Sequence, residues 1–149
     1  MVAIDPKDFR SQGELAKAYN QLGLGLVKTG KTSGLGYELK ALEMYGKFYA
    51  SDPRDKRNEE LLADSYVPLG DTEVLLASRT NIAPSQNQRH WQHARSWYQH
   101  ALATLLEPRF QGAFRGKEAG QPGRITRAIA QCNSALRECN LRWALKSSN

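Results

Sequence analysis

No apolar run in the 149 residues approaches the ~20 that a membrane-spanning helix needs, and the opening MVAIDPKDFR holds no apolar segment of the signal-peptide kind. No membrane association is expected, and the compartment expected is the cytoplasm. Cysteine is scarce: Cys132 and Cys139 are the only two. If both are helical they lie ~10 Å apart along one face, too far to bridge each other. A disulfide framework is therefore excluded, which agrees with a reducing compartment. The signatures of catalysis are missing as well. There is no G-x-S-x-G, no glycine-rich phosphate loop and no H-E-x-x-H, and the glycines of residues 112–123 follow no predicted strand. No enzymatic activity and no cofactor are expected. Paired acids such as Glu59-Glu60 or Asp52/Asp55 fall at helix starts and turns, where capping and solvation account for them.

Hydrophobic residues make up 40% of the chain and charged residues 24%, the composition of one ordinary globular domain. Within it one stretch occurs twice. DPKDFRSQGELAKAYNQLG (5–23) and DPRDKRNEELLADSYVPLG (52–70) align without a gap at a displacement of 47 residues, and nine of the 19 positions are identical. These are Asp5/Asp52, Pro6/Pro53, Asp8/Asp55, Arg10/Arg57, Leu15/Leu62, Ala16/Ala63, Tyr19/Tyr66, Leu22/Leu69 and Gly23/Gly70. Self-similarity of this period marks a stacked-repeat architecture, in which one unit recurs because it cannot bury its apolar face alone. The formal charge of +6 belongs to the tail: residues 107–149 hold eight Lys or Arg against three Glu, whereas residues 1–106 hold 13 against 12 acids.

Apolar spacing predicts five helices. The first covers about Asp8–Thr29, with Leu15, Ala16, Tyr19, Leu22, Gly23, Leu26 and Val27 on one face and Asp5-Pro6 as a turn and start signal ahead of it. Thr29–Gly34 is a tight turn, glycine closing one helix and Ser or Thr capping the next. The second helix, about Gly34–Ala50, carries Leu35, Leu39, Leu42, Met44 or Tyr45, and Tyr49 on its apolar side. The third, about Asp55–Ser78, contains Pro68, which predicts a kink between Asp64 and Asp71. Residues 79–88 read as a polar loop. The fourth helix, about Arg89–Leu106, presents Trp91, Ala94, Tyr98, Ala101, Leu102 and Leu105. A Gly- and Pro-rich loop over 107–121 follows. The last helix, about 122–146, has a narrow seam of Ile125, Ile129, Cys132, Leu136, Cys139 and Trp143 at alternating steps of four and three, suited to lying on one partner helix. The nearest candidate is the fourth helix; a homodimer through residues 122–146 is the seam's other use.

The residues Tyr19-x-x-Leu22-Gly23, Tyr66-x-x-Leu69-Gly70 and Ala94-x-x-x-Tyr98-x-x-Ala101 resemble the two halves of the helix-turn-helix unit of the tetratricopeptide repeat family. The likeness covers roughly residues 5–106. It departs from the family in its period, 47 rather than the usual 34, each helix being longer by about two turns. It also departs in a degenerate second helix, with Gly36 and Leu39 at motif positions, and in the insertion of residues 79–88. The wording around Trp91–Leu102, with a basic helix after it, is also similar to the repeat tails found downstream of kinase domains in some bacterial signalling proteins.

The resemblance implies an all-α fold: a short right-handed α-solenoid of two lengthened repeats, about 5–51 and 52–106, closed by a capping helix over about 122–146. Residues 1–7 read as the end of an inter-repeat connection, so a piece of a longer protein is expected. The implied function is a protein–protein interaction scaffold that takes a peptide or a partner helix in the concave groove. By position relative to the Tyr-x-x-Leu-Gly motif, the groove candidates are Lys17, Asn20, Gln21, Leu24 and Lys28 in the first repeat, and Asp64, Val67, Asp71 and Leu75 in the second. Family members that grip the C-terminal carboxylates of chaperones do so with Lys, Asn and Arg. Here Leu24 and Pro68 stand at matching positions beside Asn20 and Asp64, so acidic chaperone tails are not expected to bind. The alternative is a regulatory contact of the basic last helix with nucleic acid or an acidic partner. Nucleic acid is disfavoured because stacking aromatics are not interleaved among Arg124, Arg127, Arg137 and Arg142. A zinc site built from His90, His93, Cys132 and Cys139 would need the cysteines to face out of their seam, so no metal is expected; the cysteines are assigned to the core and the histidines to the surface.

Overall fold

A computed structural model describes residues 8–106 and 121–148. Every regular element among them is a helix: α1 (Phe9–Lys28), α2 (Gly34–Ser51), α3 (Lys56–Ala77), α4 (Pro84–Leu105) and α5 (Gln121–Ser147). The fold is all-α. The turn expected at Asp5-Pro6 and, but for Gln121, the loop expected over 107–121 lie outside the described residues. The chain forms two compact units, one ending at Leu69 and one beginning at Gly70. This division falls inside α3, which continues through Pro68.

In the first unit α1 and α2 pair as a hairpin. Asp8 caps α1, its Oδ1 accepting from the amides of Arg10 and Ser11 at 3.1 Å while Ser11 Oγ donates to Oδ2. These bonds hold the Asp8 carboxyl below its usual range. The helix closes on Gly30, at φ +92°, with Gly30 N–H donating to Val27 O and Lys31 N–H to Leu26 O, the double bond pattern of a Schellman cap. Ser33 was expected to cap α2 but lies in the helical region and makes no capping bond. The amides of Gly34, Leu35 and Gly36 are satisfied instead by the carbonyls three residues back.

The face of α2 is also not the expected one. Gly34, Glu38, Ala41, Tyr45 and Phe48 are buried, whereas Leu39 is 42% exposed. The cause is a close backbone approach. A Cβ on Gly23 would lie 2.6 Å from the Gly34 carbonyl and 2.5 Å from Glu38 Cγ, so small residues, rather than leucines, set the contact line of this pair. Ala16, Ala41, Tyr45 and Phe48 form the core, with Tyr19, Met44, Leu61 and Leu62 against it.

The repeat partners do the same local work. Asp55 Oδ1 accepts from Arg57 N–H at 2.9 Å as Asp8 does from Arg10, and Ala63 is buried like Ala16. Asn58 adds a tie to the preceding helix, its amide donating to Phe48 O at 3.0 Å.

In the second unit α4 starts at Pro84, five residues earlier than the polar sequence suggested, so the connection from α3 is only 78–83. Proline suits the first helical position because its fixed φ is preorganised and no amide is wasted there. The early start puts Asn87 in the helix, where its side-chain amide donates to Ala77 O, 2.5 Å away, at the end of α3. Helix α5 lies antiparallel on α4, with Arg95 bonded to Asn133 and Gln88 to Asn140. Ile125, Cys132 and Leu136 of the seam are buried, and Ile129 and Cys139 are half-buried. Trp143, the last seam position, is 59% exposed. Since Cys139 and Asn140 already meet the first turns of α4, the end of α5 runs past the start of its partner helix.

Candidate functional site

Four of the nine groove candidates converge. Lys17, Asn20 and Gln21, on successive turns of α1, and Asp64 of α3 border a cavity of about 230 Å³ with Leu61 and Ser65. Its aromatic wall is Tyr45, whose phenol burial pushes up to about 12, aided by the nearby Asp64 carboxylate. Asn20 matters most here: its Oδ1 is shut off from solvent and has no hydrogen-bond partner. A buried carbonyl oxygen in that state favours an incoming N–H donor. Lys17 and Leu61 also border a larger cleft of about 730 Å³, walled by Arg10, Glu14, Asp52 and Asp55 over Phe48. Acidic and basic groups thus share its lining with Phe48 and Leu61. Asp52 and Asp55, which the sequence assigns to capping and solvation, are two of its walls.

The other candidates separate from these four. Leu24 and Val67 are half-buried and Lys28 exposed, none of them bordering the cavity. Asp71 and Leu75 belong to the second unit. Leu75 is 39% exposed. The Asp71 carboxylate is already engaged: Tyr98 Oη donates to it at 2.6 Å and Arg124 holds both oxygens at 2.8 and 2.9 Å. Burial first, and then this bond to Asp71, lift the Tyr98 phenol far above its ordinary value. Arg124 of α5 is thereby bridged to α3.

His93 lies at the surface and His90 is half-buried, and both reach one carboxylate. His90 Nδ1 sits 2.6 Å from Glu73 Oε2 and His93 Nδ1 3.3 Å from Oε1, around a carboxylate whose side chain is only 3% exposed. Their i, i+3 spacing on α4 was legible; the acceptor on another helix was not. Cys132 is buried, which raises its thiol, and Cys139 donates to Asn87 Oδ1 at 3.2 Å. No group of three or more His, Cys, Asp or Glu gathers as a metal would require among the described residues. No described helix is long and apolar enough to cross a membrane.

Comparison with protein-family models, curated proteins and solved structures finds no match for this chain.

Proposed function

We propose that the protein is a protein–protein interaction module, built from two lengthened repeats of the tetratricopeptide class in a right-handed solenoid, that takes a peptide segment along α1 and α3. The reading is carried by the convergence of Lys17, Asn20, Gln21 and Asp64 on one cavity with Asn20 Oδ1 left without a donor. Side-chain amides beside apolar side chains suit an extended backbone, which offers N–H and C=O groups in alternation and an apolar side chain to the pocket. Conserved geometry between the repeats supports the class: Asp8 and Asp55 start their helices alike, and Gly23 and Gly70 both sit where a side chain would collide with a neighbour.

Photo-crosslinking tests it. A photoreactive residue at Gln21 or at Asp64 should capture the same partner from a cell extract, and Asn20→Ala should abolish that capture. One placed at Lys47, exposed and outside the cavity, should not. Capture of one set of proteins from all three positions overturns the reading. The second reading, phosphate contact through Arg127, Arg137 and Arg142, predicts instead an affinity that falls steeply with salt.

A further inference from the structure

The end of α5 that runs past α4 is not bare surface. Trp143 and Leu145, 59% and 71% exposed, edge a cavity of about 670 Å³ whose other wall is Arg79 and Ile82 from the α3–α4 connection and Pro84 at the start of α4. Two observations say what chemistry it takes. The first is charge. Arg79, Arg142 and Lys146 line the cavity, no acidic residue does among the described residues, and the first turn of α4 beside it carries no acid either. The second is Arg79 itself, one of whose terminal guanidinium nitrogens is closed off from solvent with no acceptor. A charged donor left that way carries a desolvation cost that an incoming carboxylate removes. Around these cations the lining is aliphatic and aromatic, from Ile82, Trp143 and Leu145. An exposed tryptophan and an arginine at one concave spot is the composition of an interface anchor.

We propose that this cavity docks an acidic amphipathic segment of a partner protein. A carboxylate accepts from Arg79, with Arg142 and Lys146 meeting neighbouring acids, and an apolar side chain seats on Trp143 and Ile82. Single-stranded nucleic acid would meet the same cations, but Trp143 is the one aromatic lining the cavity among the described residues, and successive bases need successive platforms. The site shares no residue with the cavity around Asn20, and it goes beyond the function proposed there.

The test is a fluorescence-anisotropy titration of the whole chain with three labelled probes: a short helical peptide with glutamates on one face and leucines on the other, its Glu→Gln counterpart, and an oligothymidine. The acidic peptide should bind, and the glutamine version should bind about tenfold more weakly, as expected for loss of one charge-assisted contact. Arg79→Met and Trp143→Ala should each cost a similar factor. Arg142→Gln, at an exposed position where folding is not at stake, should weaken binding more than Arg137→Gln, which removes the same charge from α5 outside the cavity. Asn20→Ala should leave the titration unchanged, so failure here and failure of the groove are separate results. Equal effects of Arg142→Gln and Arg137→Gln, equal affinity for the two peptides, or tighter binding of the oligothymidine would each overturn the proposal.

Discussion

Gly70 stands so close to the ring of Tyr98 that a Cβ built on it would lie 2.6 Å from Tyr98 Cε1. The hydrogen position of this one residue holds open the slot through which the Tyr98 hydroxyl reaches Asp71. Gly70→Ala gains up to ~1 kcal/mol of helix propensity but forces the ring off its site, at ~1–3 kcal/mol. The second effect wins, so Gly70→Ala should lower the melting temperature. Gly25→Ala has no neighbour within 4 Å to collide with and should raise it. Thermal melts of the two variants decide; a Gly70→Ala protein as stable as the parent would mean that the ring gives way freely.

The pairing of Glu73 with His90 and His93 predicts an order of effects. The Glu73 carboxylate is buried, and His90 is both nearer and less exposed than His93. Removing a partner from a buried carboxylate costs ~1–3 kcal/mol, more than the pair's net contribution, because the remaining group stays desolvated. His90→Ala should therefore destabilise more than His93→Ala in urea unfolding. Adding Glu73→Leu to His90→Ala should recover part of the loss. Equal costs for the two histidines would show that the shorter contact carries nothing extra.

How far these features could be read from residues alone depends on whether their cause is local. The paired starts at Asp8 and Asp55 and the left-handed Gly30 are written within a few positions, and the helix limits followed within about a residue at most ends. The face of α2 was not legible, because Leu39 outranks Glu38 in hydropathy while the register is set by Gly23 approaching Gly34 on the other helix. The start of α4 was hidden by the polarity of residues 84–88, which Pro84 overrides. At the groove, the resemblance to tetratricopeptide repeats nominated Lys17, Asn20, Gln21 and Asp64, which border one cavity. It could not show that Asp71 was already bound by Arg124, a residue 53 positions away. For the same reason Arg79 reads as loop, Trp143 as seam and Arg142 as part of the basic face of the last helix, with nothing local to join them.

Two buried phenols make stability fall in alkali. The Tyr45 phenol is pushed from 10.0 up to about 12, chiefly by burial, and that of Tyr98 higher still. The folded protein therefore binds these protons more tightly than the unfolded chain does. The resulting stabilisation is complete below the ordinary value of 10.0 and is lost as pH rises toward the folded values. Melting temperature should drop between pH 10 and about 12, and Tyr45→Phe should fall less steeply over that interval. Absorbance titration of tyrosinate should show late-ionising phenols in the folded protein that titrate normally in guanidinium. A melting temperature independent of pH across this window contradicts the assignment.

The two thiols should separate in rate. Cys132 is fully buried and its thiol is raised by that burial, whereas Cys139 is partly exposed. Since the thiolate is the nucleophile, a disulfide reagent should label Cys139 quickly and Cys132 only on unfolding. The Cys139→Ser variant should leave no fast-reacting thiol; a fast equivalent surviving in it would place Cys132 at the surface.

The last prediction concerns how much of α5 the fold requires. Ile125, Cys132 and Leu136 lie on α4, whereas every residue from Asn140 to Ser148 is exposed. Burying each large aliphatic side chain contributes ~1.5–3 kcal/mol before ordering entropy, a sizeable share of the ~5–15 kcal/mol that holds a domain together. A chain ending after Asn140 should thus melt close to the parent temperature. One ending after Gly123 should expose Ala94, Tyr98, Ala101 and Leu105 and aggregate or lose part of its helical signal. Circular dichroism and light scattering on the two truncations measure the contrast. Should the shorter one stay monomeric and melt with the parent, α5 is no cap, and its seam becomes a docking face for a second chain.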